Sequence, residues 1–141
     1  MEPVKEINNG YLLDTHVLLW WLFDDPKLSD TARDIIRAPD SIIIVSSASG
    51  WEIATKSRLG KLPHAGDIMD DLPSLLQKAR IEVLSITMAH ALAAGALPGP
   101  HRDPFDRMLI WQAIREKMVL ISKDGKIEAY EDYGLKILPL S

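Results

Sequence analysis

The sequence predicts a three-layer α/β/α fold, in which helices cover both faces of a central, mainly parallel sheet. Short runs rich in Ile, Val and Leu alternate along the chain with longer segments of helical pattern. Strands separated by helices need crossover connections, which join parallel neighbours. The 141 residues, 47% hydrophobic and 26% charged, suit one compact domain over 1–141. The absence of cysteine excludes disulfides and cysteine-type zinc sites.

The first strand and the first two helices are predicted from short, well-marked segments. Gly10–Thr15 (GYLLDT) is an apolar run interrupted by Asp14, and a helix-like segment follows over His16–Phe23. Ser29 is suited to cap a helix that continues through Arg37. These segments predict a strand followed by two helices, with Asp14 at the first junction.

A second strand and two further helices are predicted next. Ser41–Val45 (SIIIV) is rich in β-branched residues, which indicates a buried strand. A helix is predicted over Ser47–Leu59, with Gly60 as the residue after its end. Another helix is expected over Asp67–Arg80, with a break or kink at Pro73.

The remainder of the chain continues the alternation. The predicted strands are Ile81–Ile86, Val119–Ser122 and Lys136–Leu140, and the predicted helices are Thr87–Leu97, Pro104–Lys117 and Lys126–Tyr133. Pro139 cannot donate to a strand ladder, so the last strand is expected at an edge of the sheet.

Two acidic residues follow predicted strands, at the end of a parallel sheet where ligands usually bind. Asp14 ends the first strand, and Asp124 follows Ser122 at the end of a later one. Asp14 is equally suited to cap the next helix. Asp124 could simply begin a turn with Gly125.

Three further acids have both a structural and a functional interpretation. Glu52 precedes Lys56 by four residues, and taken alone this spacing favours an exposed ion pair on a helix. Asp103 precedes a proline, which suits a helix cap. Asp106 begins the apolar stripe of the same helix, where an unpaired carboxylate is costly. A bound cation would remove that cost, so a functional role is predicted for Asp106.

Four segments in order resemble the PIN-domain ribonucleases of the VapC toxin type. They are LLDTHVLLW, SSASGWEIATKSRLGKL, HRDPFDRMLIWQA and LISKD. The resemblance covers nearly the whole chain and implies a small α/β/α fold with a parallel sheet. It implies a divalent-metal site formed by Asp14, Glu52, Asp106 and Asp124. Asp103, Thr15 and Ser122 are expected to support that site.

The predicted ligands also make chemical sense together. Two unit charges 4 Å apart repel by about 4 kcal/mol at an effective dielectric of 20, so clustered carboxylates need protons or a cation. Mg²⁺ prefers oxygen ligands, and a bound divalent ion can activate water for attack on phosphorus. We therefore expect Mg²⁺- or Mn²⁺-dependent hydrolysis of RNA. Asp14 and Asp106 are the principal expected ligands, and Glu52 and Asp124 are expected to bind metal or position water.

The net charge of −4 argues against a protein that coats nucleic acid by bulk charge. An acidic ribonuclease therefore needs a local basic rim, for which the phosphate-contact candidates are Lys56, Arg102, Arg107 and Lys123. No histidine is expected to be catalytic, and His101 is interpreted as a loop residue.

The apolar segment Val17–Phe23 (VLLWWLF) is either a wholly buried helix or exposes Trp20 or Trp21 to a partner. The family resemblance implies a homodimer and inhibition by a small antitoxin protein. No signal peptide or long apolar span is recognised, so a cytoplasmic location without membrane insertion is expected.

Two other functions are compatible with an α/β chain of this kind. In a non-catalytic PIN-like binding module, the acids would serve only as structural caps. A receiver-like signalling domain would need a phosphoacceptor Asp after its middle strand, whereas SIIIV is followed by Ser46–Ser47.

Overall fold

The computed structural model describes residues 10–62, 64–123 and 125–139, which form a five-stranded sheet flanked by helices. The strands are β1 (Tyr11–Leu13), β2 (Ile43–Ser46), β3 (Ile81–Leu84), β4 (Val119–Ser122) and β5 (Lys136–Pro139). Their order is β3-β2-β1-β4-β5, and every neighbouring pair is parallel. The predicted parallel sheet is confirmed, and β5 lies at an edge as Pro139 indicated.

The helices match the predicted ones except in two regions. They are α1 (Thr15–Leu22), α2 (Asp30–Arg37), α3 (Ser47–Arg58), α4 (Leu72–Lys78), α5 (Met88–Ala96) and α6 (Pro104–Glu116). The segment Asp67–Arg80 is not one helix but is divided close to Pro73, as anticipated: a 3₁₀ turn (Ala65–Ile68) precedes the shorter α4. Pro73 lies in the first turn of α4, where a missing N–H is tolerated. The short helix predicted over Lys126–Tyr133 is a 3₁₀ helix, Gly125–Tyr133.

Two hydrophobic cores, one on each face of the sheet, produce the three layers. Leu12 and Leu13 are adjacent in β1 and fully buried, yet they belong to different cores because successive strand side chains alternate between faces. Leu13 packs with Val17 and Leu18 of α1, whereas Leu12 packs with Ile110 of α6.

The tryptophans of α1 match neither predicted extreme. Trp20 and Trp21 are partly buried and pack against the core that contains Leu13. The helix is therefore not wholly buried, and neither indole is a freely exposed anchor. Within the described ranges, no helix is both long and apolar enough to cross a membrane.

The strand ends bring distant parts of the chain to one edge of the sheet. Leu13 of β1 is in register with Ile121 of β4, so Asp14 and Ser122 follow neighbouring positions. The Asp14 N–H continues this ladder by donating to the Ile121 carbonyl at 3.0 Å. β2 ends at Ser46, whose hydroxyl caps α3 by accepting from the Ala48 N–H at 3.0 Å.

Candidate active site

Asp14 lies at the junction of β1 and α1 with only 6% of its surface exposed. One carboxylate oxygen, Oδ1, accepts from the Val17 N–H at 2.8 Å and caps α1. The other, Oδ2, accepts from the Ser122 hydroxyl at 2.6 Å and from the Lys123 N–H at 3.3 Å. Burial raises the pKa of the Asp14 carboxyl, although the hydrogen bond from Ser122 opposes this shift. Capping therefore coexists with a buried, desolvated carboxylate.

Glu52 is buried on α3, with 2% of its surface exposed. Its Oε1 accepts from the Thr15 hydroxyl at 2.6 Å, and its Oε2 pairs with the Lys56 ammonium. The Thr15 hydroxyl oxygen also lies 3.0 Å from Ser49 Oγ. The spacing of Glu52 and Lys56 correctly indicated an ion pair, but its interpretation as an exposed pair is wrong. The carboxylate instead faces Thr15, which follows Asp14 in the chain and begins α1.

Asp103 and Asp106 lie at the start of α6. Asp103 caps the helix as predicted, since its Oδ1 accepts from the Phe105 N–H at 2.8 Å and the Asp106 N–H at 3.3 Å. The Asp106 side chain is 27% exposed. Burial raises its pKa to about 7, and the negative charges of Asp103, Glu52 and Asp14 add to the shift.

Lys56 shows that these carboxylates share one electrostatic environment. Its ammonium pairs with Glu52 and lies 3.9 Å from Asp103 Oδ2. Burial disfavours the charged ammonium, yet the hydrogen bond and attraction of Glu52, together with Asp103 and Asp106, raise the pKa of Lys56. Acids from α3 and from the start of α6 therefore surround one cation.

The remaining predicted residues are the ligand candidate Asp124 and the phosphate-contact candidates Arg102 and Lys123. Asp124 lies outside the described residues, so its predicted role stays a prediction. Arg102 is exposed and shares a cleft with Asp103, Asp106 and Lys126. Lys123 is also exposed, with its N–H directed to Asp14.

Arg107 is held by backbone carbonyls. Its guanidinium donates to the Ala94 carbonyl at 3.2 Å, to the His101 carbonyl at 2.8 Å and to the Leu97 carbonyl. The donors predicted to contact RNA phosphate are thus engaged in holding the loop between α5 and α6.

Replacing Arg107 with lysine is expected to lower the free energy of unfolding by about 1–3 kcal/mol, because a single ammonium nitrogen cannot reach the three carbonyls that Nε, Nη1 and Nη2 bind separately. Thermal unfolding of the Arg107→Lys protein checks this, with Arg102→Lys as the exposed control. An Arg107→Lys protein of unchanged stability but weaker RNA binding would instead support a phosphate contact.

Two histidines that were not expected to contribute lie at this site. His101 is buried, and its Nε2 lies 3.4 Å from Asp106 Oδ2. His16 is half-buried and interacts electrostatically with Asp14 and Lys123; burial lowers its pKa. Neither has the spacing of a metal-ligand motif, so only the folded arrangement identifies them.

The chemistry of the donors fits a hard divalent cation, since Asp14, Glu52 and Asp106 offer carboxylate oxygens and no sulfur. Across the described ranges, however, no three Asp, Glu or His side chains form a ready-made metal cluster. Glu52 instead faces Thr15 and Lys56, and Asp14 faces Ser122. A carboxylate oxygen that accepts one hydrogen bond keeps a second lone pair, so these contacts do not by themselves prevent metal binding.

The stability of the metal-free protein is expected to fall as pH rises. The carboxyl of Asp106 has a pKa of about 7 in the folded state against 3.8 unfolded, so the folded state holds its proton more tightly. The contribution of the Asp106 carboxyl to the free energy of unfolding is therefore lost between about pH 4 and pH 7, and it amounts to at most about 4 kcal/mol. The raised pKa of Asp14 acts in the same direction. Denaturant titrations of wild type and Asp106→Asn should diverge across this window, and parallel pH profiles would contradict the assignment.

Comparison with known proteins adds family evidence to this geometry. The PIN domain family model matches residues 11–133. The chain is similar to ribonuclease VapC22 of Mycobacterium tuberculosis, with 30% identity over 120 residues that span 84% of this chain and 90% of the relative. It is also similar to ribonuclease VapC16 of the same organism, with 33% identity over 79 residues that span 53% and 56% of the two chains.

Solved structures share the fold at lower identity. DNA-bound VapBC from Salmonella typhimurium aligns with a TM-score of 0.66 and 19% identity, covering 94% of this chain and 98% of that chain. VapBC2 from Rickettsia felis, bound to a DNA fragment from its promoter, aligns with a TM-score of 0.62 and 17% identity, covering 93% and 98%. These likenesses extend the agreement in fold to nearly the whole chain.

Proposed function

The chain belongs to the PIN-domain family as a VapC-like ribonuclease toxin of a toxin–antitoxin pair, and on this premise we propose that Asp14, Glu52 and Asp106 form its metal centre. Ribonucleases of this family are phosphodiester hydrolases and are typically metal-dependent. The family match contradicts the receiver-like alternative, and the ribonuclease relatives favour an enzyme over a non-catalytic PIN-like module.

The observation that carries the proposal is the convergence of buried carboxylates from distant segments. Asp106 is far from Asp14 and Glu52 in the sequence. Its pKa is nevertheless raised by burial and by the charges of Asp103, Glu52 and Asp14. Such an accumulation of negative charge costs stability unless it serves to bind a cation. Perturbed acids in a cleft are also a common mark of functional sites.

The roles of the individual residues follow from their contacts. Asp14, Asp106 and Glu52 would hold Mg²⁺ or Mn²⁺, and Asp124 remains a predicted ligand or water-positioning group. When bound, the ion would activate water and stabilise charge on the leaving oxygen. The Ser122 and Thr15 hydroxyls orient the Asp14 and Glu52 carboxylates.

RNA binding is proposed to use the basic side chains around this cleft. Arg102 and Lys123 are exposed close to the acids, and Lys126 lines the same cleft as Asp106. Cationic side chains contact phosphates without reading base sequence, so this rim would position RNA rather than select it. Since the proposed substrate is cellular RNA, we assign the protein's action to the cytoplasm.

We propose a small antitoxin and a second copy of the chain as protein partners. Proteins of the same fold were crystallised as DNA-bound VapBC2 and VapBC, and another is described as a toxin–antitoxin complex from Klebsiella pneumoniae. Trp51, Met88 and Leu92 are large, exposed apolar side chains of α3 and α5. Aromatic residues and methionine are enriched at protein interfaces, which supports a role for Trp51 and Met88 in contacting a partner.

Inducible expression of wild type and Asp14→Asn, followed by mapping of RNA ends, tests the proposed centre. Discrete cleavage and growth arrest are expected with wild type alone. Equal cleavage by an Asp14→Asn protein present at the same level would overturn the assignment of Asp14.

A further inference from the structure

His101 is fixed between two groups of the active site. Its ring is buried, with 8% of the residue exposed. Nδ1 accepts from the Asp103 N–H at 3.3 Å, and Nε2 lies 3.4 Å from Asp106 Oδ2. The ring therefore spans from the backbone at the start of α6 to a carboxylate of the proposed metal centre.

These contacts select one form of the neutral imidazole. A backbone N–H can donate only to a ring nitrogen that carries no hydrogen, so the neutral ring bears its proton on Nε2. The ring nitrogen that lies 3.4 Å from Asp106 Oδ2 therefore carries this hydrogen. The contact is a close approach of two polar groups rather than a formed hydrogen bond, and catalytic hydrogen bonds often tighten only when the substrate is bound.

The backbone of His101 is held on both sides. Its N–H donates to the Tyr130 hydroxyl at 3.1 Å, and its carbonyl accepts from Arg107 Nη1 at 2.8 Å. Tyr130 is fully buried, and Arg107 is itself fixed by the Ala94 carbonyl. The imidazole is thus placed by the core rather than by a free loop.

Gly99 allows the loop to approach Tyr130 this closely. Its φ is +111°, and a Cβ there would lie 2.5 Å from the Tyr130 hydroxyl oxygen. Any other residue would have to move the ring or the loop. Glycine at position 99 therefore permits the loop conformation that brings His101 close to Asp106.

We propose that His101 is a positioning residue that orients the Asp106 carboxylate for metal binding through its Nε2–H. This inference rests on the proposed function, because it assigns a supporting partner to a ligand of that centre. Ligating carboxylates are usually held by such outer hydrogen bonds, whose loss costs 10–100-fold in metal affinity or activity.

The tautomer is tested on unmodified, metal-free wild type by NMR. Long-range ¹H–¹⁵N correlation spectra of the neutral ring distinguish Nε2–H from Nδ1–H, and His101→Gln identifies the signal. The Nε2–H form is expected. The Nδ1–H form would overturn the proposal whatever the variants do.

Substitution tests the consequence for metal and rate. His101→Leu removes the donor and is expected to weaken Mn²⁺ binding, measured by calorimetry, about 10–100-fold. The kcat for RNA cleavage should fall similarly while KM changes little, since RNA contacts are untouched. His101→Gln offers an amide N–H in its place and should recover most of both. Exposed His64→Leu is the matched control, expected to behave as wild type.

The outcomes separate this inference from the proposed function. A folded His101→Leu protein with Mn²⁺ affinity within twofold of wild type would overturn the positioning role, as would a His101→Gln protein no better than His101→Leu. Wild type without metal-dependent cleavage would instead overturn the proposed function. If His101→Leu fails to fold, the comparison of His101→Gln with wild type and the NMR tautomer decide.

Discussion

Replacing Asp106 with asparagine is expected to lower RNA cleavage more than about 100-fold while making the metal-free protein more stable. Losing a residue that only hydrogen-bonds to a metal ligand already lowers metal affinity or activity about 10–100-fold. Asp106 is proposed as a ligand itself, so a larger loss is expected. Stability should rise by about 1–3 kcal/mol at neutral pH, because the cost of burying the Asp106 charge and its repulsion by Asp103 and Glu52 both disappear.

Single-turnover cleavage and thermal unfolding of the same Asp106→Asn preparation measure both effects. Added Mn²⁺ should raise the unfolding temperature of wild type but hardly that of the variant, since only binding to the native state stabilises it. Asp34→Asn, a change at an exposed acid of α2, is the matched control. A less stable Asp106→Asn protein would show that this carboxylate supports the fold instead.

Replacing Asp14 with alanine is expected to abolish cleavage to a similar degree but to destabilise the protein. The change removes the acceptor for the Val17 N–H at the cap of α1 and for the Ser122 hydroxyl and Lys123 N–H. Losing these contacts should lower the free energy of unfolding by about 1–3 kcal/mol, although relief of the buried charge offsets part of it.

Denaturant unfolding and cleavage assays of Asp14→Ala and Asp14→Asn separate the two roles of Asp14. The asparagine variant keeps one oxygen for the cap, so its stability should lie between wild type and Asp14→Ala, with cleavage lost in both. If a folded Asp14→Asn protein still cleaved RNA, Asp14 would serve only as the cap of α1 and not as a metal ligand.

Most of the sheet could be predicted because its strands are short, buried and bounded by clear helix signals. The run SIIIV holds three of the four residues of β2, and the crossovers between strands required parallel pairing. How the segment Asp67–Arg80 divides could not be predicted, because proline is compatible with both a kink and a first turn. Only the packing of the chain shows that Pro73 lies at the start of α4.

The candidate site was predictable in its acids and not in their surroundings. The spacing of Glu52 and Lys56 is the same for an exposed pair and a buried one, and only the contact with Thr15 shows the difference. His101 carries no motif spacing, and its approach to Asp106 depends on Tyr130. These features arise from tertiary packing, on which local sequence patterns carry little information.

Exposed apolar residues were also misjudged from local pattern. The run VLLWWLF predicted either a wholly buried helix or an exposed Trp20 or Trp21, yet both indoles are partly buried against the core. Trp51, flanked by polar and small residues, is the tryptophan with most of its surface exposed. Hydrophobic density along the chain indicates burial better than it indicates a contact surface.

Restoration of cleavage by metal tests the central claim most directly. Purified wild type is freed of metal with chelator, incubated with end-labelled single-stranded RNA, and then supplied with Mg²⁺ or Mn²⁺; the ends of the products are identified. We predict no cleavage in chelator and cleavage after metal is added. The products should lack 2′,3′-cyclic phosphates, because a metal-activated water rather than the ribose 2′-hydroxyl attacks phosphorus. Equal cleavage in chelator, or products that end in cyclic phosphates, would contradict a metal-centred hydrolysis at Asp14, Glu52 and Asp106.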